Sequence, residues 1–161
     1  MKPIALLALA ALVVATPALA QNATQIASAR RGASCAGCNL FQADLIGAQL
    51  RGKSFAGARL RQADLSASVM NNSNFSRADM RDVEAYGGVF TGASFAGANL
   101  AGASFVGTYL QGANFRGAVL DGVNFSGAEM DRATGLTQGQ LSRACGDDAT
   151  ALPRGLTLPH C

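Results

Sequence analysis

The stretch Gly92–Leu120 reads, cut in fives, GASFA GANLA GASFV GTYLQ GANFR GAVL. A large apolar residue falls at Phe95, Leu100, Phe105, Leu110, Phe115 and Leu120. Alanine or threonine stands two residues before each centre, and glycine stands two residues after it wherever the run continues. A period of five matches neither the 3.6 of an amphipathic helix nor the 2 of an ordinary strand. Self-similarity at a fixed period takes precedence over any local helix or strand reading, and it points to a stack of short units.

The register extends both ways. Centres fall on every multiple of five from Leu40 to Met130, nineteen pentapeptides with no insertion. Ala43-Asp44-Leu45, Ala63-Asp64-Leu65, Ala98-Asn99-Leu100 and Ala113-Asn114-Phe115 follow an A-(D/N)-L-x-x pattern. On these residues the segment Cys38–Arg132 resembles the pentapeptide-repeat proteins. The resemblance implies an all-β fold: a right-handed quadrilateral parallel β-helix, with one repeat per side and four per coil. Nineteen repeats then make nearly five coils. Residues twenty apart would stack at about 4.8 Å, giving a rod about 23 Å long.

On that geometry the centres point inward, and so do the small residues two before them. Phe55, Phe75, Phe95 and Phe115 are expected to stack as a phenylalanine ladder on one side. Leu45, Leu65, Ala85, Phe105 and Phe125 line the opposite side. Ala85 removes a large centre, and Phe105 in the next coil is the expected filler. Lys53 takes a small inward position and is expected to swing outward.

The remaining segments differ in composition. Residues 1–20 carry a basic Lys2, an apolar run Ile4–Val14, Pro17 and Ala18-Leu19-Ala20. This pattern predicts a secretory signal peptide cleaved after Ala20, too short to span a bilayer, and hence a periplasmic or secreted protein. Residues 21–34 are small, polar and aperiodic, and predict a flexible leader. The repeat domain is placed at 35–133 and a C-terminal cap at 134–161. In the cap, Thr137 to Gln140 predicts a capping box opening a short helix through about Ala144, with Leu136, Leu141 and Ala144 inward. An extended tail broken by Pro153 and Pro159 follows. A solenoid with an open end exposes apolar side chains and strand edges, and so requires a cap.

Four cysteines in an exported chain point to disulfides. Cys35-Ala36-Gly37-Cys38 admits three readings: a structural disulfide, a metal site or a redox dithiol. Zinc would need a second ligand pair, and a thioredoxin-like motif belongs on a βαβ unit. The rod implied by the resemblance separates the two cysteine pairs beyond the roughly 7 Å between Cα atoms that a bridge can span. The expected pairs are therefore Cys35–Cys38 and Cys145–Cys161.

Function is less constrained. His160 is the single histidine, so no Ser/His/Asp or Cys/His set can be assembled, and no cofactor or metal is expected. Removing Lys2 lowers the formal net charge from +3 to +2, too mild to argue for nucleic acid or an anionic membrane. The outward columns are more informative. Arg59, Arg61 and Arg81 cluster around Asp79 with Phe41 one coil away. They are the candidate contact for an anionic partner such as an envelope polymer. The competing reading is a solvated face balanced by Asp79 and Asp121. Asp44, Asp64 and Glu84 form an acidic column, read either as a divalent-cation site or as the family's usual corner residues. Val69, Val89 and Tyr109 form a third column, a small interaction patch or simple strand stabilisation.

The expected role is a non-enzymatic, exported scaffold or a protein- or polymer-binding module of the bacterial envelope. The family resemblance implies an alternative, because some pentapeptide-repeat proteins imitate duplex DNA and bind gyrase. That role wants a strongly acidic cytoplasmic rod, and this chain departs on both counts. A thiol redox protein using Cys35 and Cys38 is the third reading.

Overall fold

The computed structural model describes residues 21–161. The signal peptide expected over residues 1–20 lies outside the described residues. Every fifth residue from Asn39 through Asn114 forms a parallel bridge with the residue twenty ahead of it. Four five-residue steps therefore return the chain to its own column, which is the register that the family resemblance implies. Each side is a single bridge long, so the result is a repeat solenoid rather than a sheet of conventional strands.

The repeat accounts for all of its backbone donors, as a buried chain must. In Ala63–Ala67, the Ala63 N–H closes the preceding corner on the Leu60 carbonyl. Asp64 donates back one coil to Ala43, Leu65 forward to Glu84, and Ala67 forward to Tyr86. The Ser66 N–H, at the corner itself, has no backbone acceptor within reach and is taken by Asp64 Oδ1 at 2.9 Å. Asn74, Asn99, Asn114 and Asn124 do the same for the residues two ahead of them. The Asx preference just before each centre is thus a corner hydrogen bond. This also explains the acidic column: Asp44 and Asp64 serve the N–H groups of Ile46 and Ser66.

The corner sets the glycine rule. The residue two after each centre from Leu40 to Phe125 adopts positive φ, as a turn closed between its first and fourth residues requires when the third is left-handed. Glycine enters that region without a Cβ penalty. Six corners nevertheless carry other residues, all in the N-terminal half: Gln42, Gln62, Ala67, Asn72, Arg77 and Asp82.

The core is one file of side chains. Phe55, Phe75, Phe95 and Phe115 are fully buried, and successive rings stack at 5.2, 5.3 and 5.1 Å. Ala85 is fully buried and leaves its side one large centre short. Phe90, on the neighbouring side, reaches Phe75 at 6.1 Å, Phe95 at 5.9 Å and Phe105 at 5.8 Å. The second aromatic of this coil has moved from one side to the next. Phe105, the residue expected to fill the gap, packs on Phe90, Phe95 and Phe125. Lys53 is half-buried.

Both ends are covered. The leader expected to be flexible is helical: α1 runs Ala23–Arg30. Asn22 caps it by accepting from the Gln25 N–H. Ala29 is fully buried and Ile26 packs on the core, so the first coil is sealed. Gln25 Oε1 accepts the Asn39 N–H at 2.7 Å, and Arg30 pairs with Asp44 at 2.9 Å. The sequence conceals this helix because the apolar stripe is a single isoleucine among small residues, too little for a 3.6-residue period to register.

At the other end, α2 spans only Gln138–Leu141, shorter than expected, with the capping box of Thr137 and Gln140 in place. The cap acts as a partial extra coil. Phe115, Gly122, Phe125 and Met130 donate to the carbonyls of Thr134, Arg143, Cys145 and Ala151. Gln140 Nε2 also donates to the Phe115 and Ala118 carbonyls, and Leu141 is fully buried over the core. Cys35–Cys38 and Cys145–Cys161 are both disulfides, with Cα separations of 5.2 and 4.8 Å.

Candidate interaction face

The arginine face is built by one corner and the side that precedes it. Phe41, Arg61 and Arg81 are the first corner residues of three successive coils. Arg59 stands on the preceding side, bridged between Asn39 and Asp79. The regular repeat therefore brings the four predicted residues to one surface. Phe41 is half-buried, which fits a ring lying along the coil.

The charges on this face are not equivalent. Arg81 holds Asp79 in a two-point contact, with both N···O distances 2.7 Å. The Asp79 carboxyl is held below its ordinary value, first by that hydrogen bond and further by the nearby Arg61 charge, with partial burial opposing. Arg81 is pushed up by the same contact. Arg61 stands 3.5 Å from Asp82 through Nε, yet that buried Nε makes no hydrogen bond. Among the described residues Arg59 has no ion pair. Asp121, expected to balance this face, is taken instead by Arg143 of the cap at 2.8 Å. Asp82 replaces it. Sequence reasoning had no reason to look there, because that corner position is ordinarily glycine.

Two acids of the repeat meet the cap in a concavity. A cleft of about 690 Å³ opens between Gln111, Glu129 and Asp131 on the rod and Ala149 and Ala151 on the cap. Gln111 donates to the Glu129 carboxylate, and Arg132 stands 3.8 Å from Asp131. The cap joins this column at a spacing of twenty-two residues, Glu129 to Ala151, so the repeat period does not foretell it. His160 lies 3.3 Å from Asp148, and both are exposed. No group of three or more His, Cys, Asp and Glu residues positioned to hold a metal occurs among the described residues. No helix among them is long and apolar enough to cross a membrane.

A solenoid of five-residue repeats, closed at each end, defines the class of this protein. The chain belongs to the pentapeptide-repeat family: eight copies of the model "Pentapeptide repeats" match residues 31–52, 54–84 and 98–134. The unmatched stretch between 84 and 98 contains Ala85 and Phe90, where the core pattern changes sides. No curated protein matches the chain. Among solved structures, a pentapeptide repeat protein of the Arabidopsis thaliana thylakoid lumen is 32% identical over 55% of each chain, with a TM-score of 0.34. This chain therefore spans about half the length of that protein. HetL, involved in heterocyst differentiation regulation in Nostoc sp., is 26% identical over 75% of this chain and 65% of its own, with a TM-score of 0.40. QnrB1, a plasmid-mediated fluoroquinolone resistance protein, is 21% identical over 76% and 78%, with a TM-score of 0.41.

Proposed function

We propose that this protein is a non-enzymatic, exported scaffold of the bacterial envelope, a right-handed quadrilateral rod that binds an anionic envelope polymer through its arginine face. Export is supported by the composition of residues 1–20 and by two disulfides, which persist in oxidising compartments. The observation that carries the binding role is the excess of cation on one corner. Arg59 has no ion pair among the described residues, and the buried Nε of Arg61 makes no hydrogen bond. Phosphate or carboxylate groups suit such arginines, which present several donors in a planar fork. Arg81 contributes less, because Asp79 already occupies it. A DNA-mimicking role wants acid along the rod, and the face described here carries the opposite sign.

The test is co-sedimentation of the mature protein with anionic wall or outer-membrane polymer across a salt series. Binding should weaken with salt, fall with Arg59→Ala/Arg61→Ala, and fall little further when Arg81→Ala is added. Binding that survives the triple change sinks the proposal.

A further inference from the structure

We infer that the corner next after the arginine corner, with the side that follows it, is a second docking surface, and that it takes an extended protein segment carrying arginine or lysine. This goes beyond the arginine-face proposal and uses none of its residues.

The first observation is where the aromatic residues go. Seven of the eight phenylalanines are fully buried in the core, whereas both tyrosines are outside: Tyr86 is 64% exposed and Tyr109 45%. The two lie on adjoining coils at one edge. Tyr86 sits at a corner, and Gly87 behind it hydrogen-bonds to the Val106 carbonyl, so Val106 stacks next to Tyr86 along the rod. Tyr109 stands on the side that follows, bridged to Val89 on one coil and Glu129 on the next. The corner glycines between these columns, Gly87 and Gly107, have open space where a Cβ would stand. A continuous apolar and aromatic strip results, and Ile46, the other exposed large hydrophobic, sits at the same corner two coils earlier.

The second observation is charge. Glu84 lies two residues before Tyr86, and the strip runs through Tyr109 into the cleft at Glu129 and Asp131. Glu84 and Glu129 have no ion pair among the described residues. Arg132 beside Asp131 is the one cation lining the cleft, and it leaves the cleft net acidic. The complement is a cation attached to apolar groups. A guanidinium or ammonium stacks on a tyrosine face and pairs with a carboxylate, and both contacts strengthen as water is excluded. Nucleic acid and anionic membrane surfaces carry the wrong sign. A small inorganic cation would gain nothing from the tyrosines. From Val69 to Glu129 is three steps of about 4.8 Å, about 14 Å, the length of roughly four residues of extended chain. The cleft receives the basic side chain, and the strip receives the apolar residues beside it.

The chain has two tyrosines and no tryptophan, so its intrinsic emission reports on this edge alone. The probes are capped octapeptides alternating valine with arginine, and the same peptide with glutamate. The arginine peptide should change tyrosine emission saturably and the glutamate peptide should not. Glu129→Gln/Asp131→Asn should weaken arginine-peptide binding about tenfold by calorimetry. Charge reversal, Glu129→Arg/Asp131→Arg, should shift preference to the glutamate peptide. Arg59→Ala should leave binding unchanged, which separates this surface from the arginine face. The inference is overturned if wild type responds equally to both peptides, or if neither charge change alters affinity. It is also overturned if sedimentation shows self-association that Tyr86→Ala/Tyr109→Ala abolishes, because a second copy is then the occupant.

Discussion

Arg81 grips Asp79 in register with the backbone, Nε donating to Oδ1 and a terminal nitrogen to Oδ2, both at 2.7 Å. The two residues sit two apart in one repeat, so no neighbouring coil is needed to make the pair. The consequence is that one of the three arginines on the candidate face is already occupied. Asp79→Asn should release its fork and remove a repelling charge. Two unit charges about 4 Å apart in water interact by about 1 kcal/mol, so affinity for anionic polymer should rise about fivefold at low salt. The co-sedimentation series measures this directly. Unchanged affinity would mean that the polymer does not contact this corner.

The same pair makes a pH prediction. Asp79 has a folded pKa below its ordinary value because Arg81 stabilises the carboxylate. Its contribution is therefore present above the unfolded pKa of about 3.9 and is lost as pH falls through the lower folded value. The pair is partly exposed, so screening keeps the contribution below about 1 kcal/mol. Asp147 has its pKa lowered too, chiefly by the Gly127 N–H, so the cap loosens in the same direction. Melting temperature should fall on acidification below about pH 4. Asp79→Asn should make that fall shallower, and an identical slope would argue against the pair.

The phenylalanine ladder predicts where stability is concentrated. Phe75 stacks on Phe55 and Phe95 and meets the edge of Phe90. Phe75→Ala should cost about 3–5 kcal/mol in urea unfolding, the upper range for a buried aromatic. Phe115→Ala removes a ring with a stacked partner on one side and the cap on the other, and should cost less.

The corners offer a gain. Ala67 holds φ at 54°, where a Cβ is strained, and its position in the next coils is glycine. Ala67→Gly should stabilise by about 0.5–1 kcal/mol, the strain relieved exceeding the added chain entropy. Gly112→Ala should do the reverse. A Cβ there meets nothing closer than 3.9 Å, so the cost isolates backbone strain from crowding. Equal and opposite shifts in urea midpoint would confirm that conformation, not packing, sets the glycine rule.

The sequence makes part of this fold legible and hides the rest. The period placed every centre from Leu40 to Met130, because an uninterrupted step of five admits a single register. The Phe55–Phe115 stack follows from that register once the resemblance supplies four repeats per coil. What escaped depends on contacts between unlike segments. The α1 helix closes the first coil with Ile26 and Ala29, two residues in a stretch with no periodicity. Asp82 faces Arg61 from a corner where the pattern wants glycine. The coil of Ala85 carries its second aromatic, Phe90, on a different side. The cleft at Glu129 exists because the cap rejoins the rod out of period.

The cap yields the last prediction. Cys145 and Cys161 close a segment of sequence separation 16, and Cys145 itself accepts the Phe125 N–H from the final coil. A crosslink closing a loop of that size contributes about 3 kcal/mol through the unfolded chain. In a solenoid, stability is a sum of neighbouring interfaces, so the loss should be confined to the end. Cys145→Ser/Cys161→Ser should accelerate amide exchange at Gly122, Phe125 and Met130, whose acceptors lie in the cap. Exchange at Leu60 and Leu65, bonded to Asp79 and Glu84 within the rod, should stay at the wild-type rate. Uniform acceleration along the chain would instead mean that the coils unfold as one cooperative unit. The cap would then stabilise the whole rod rather than its last turn.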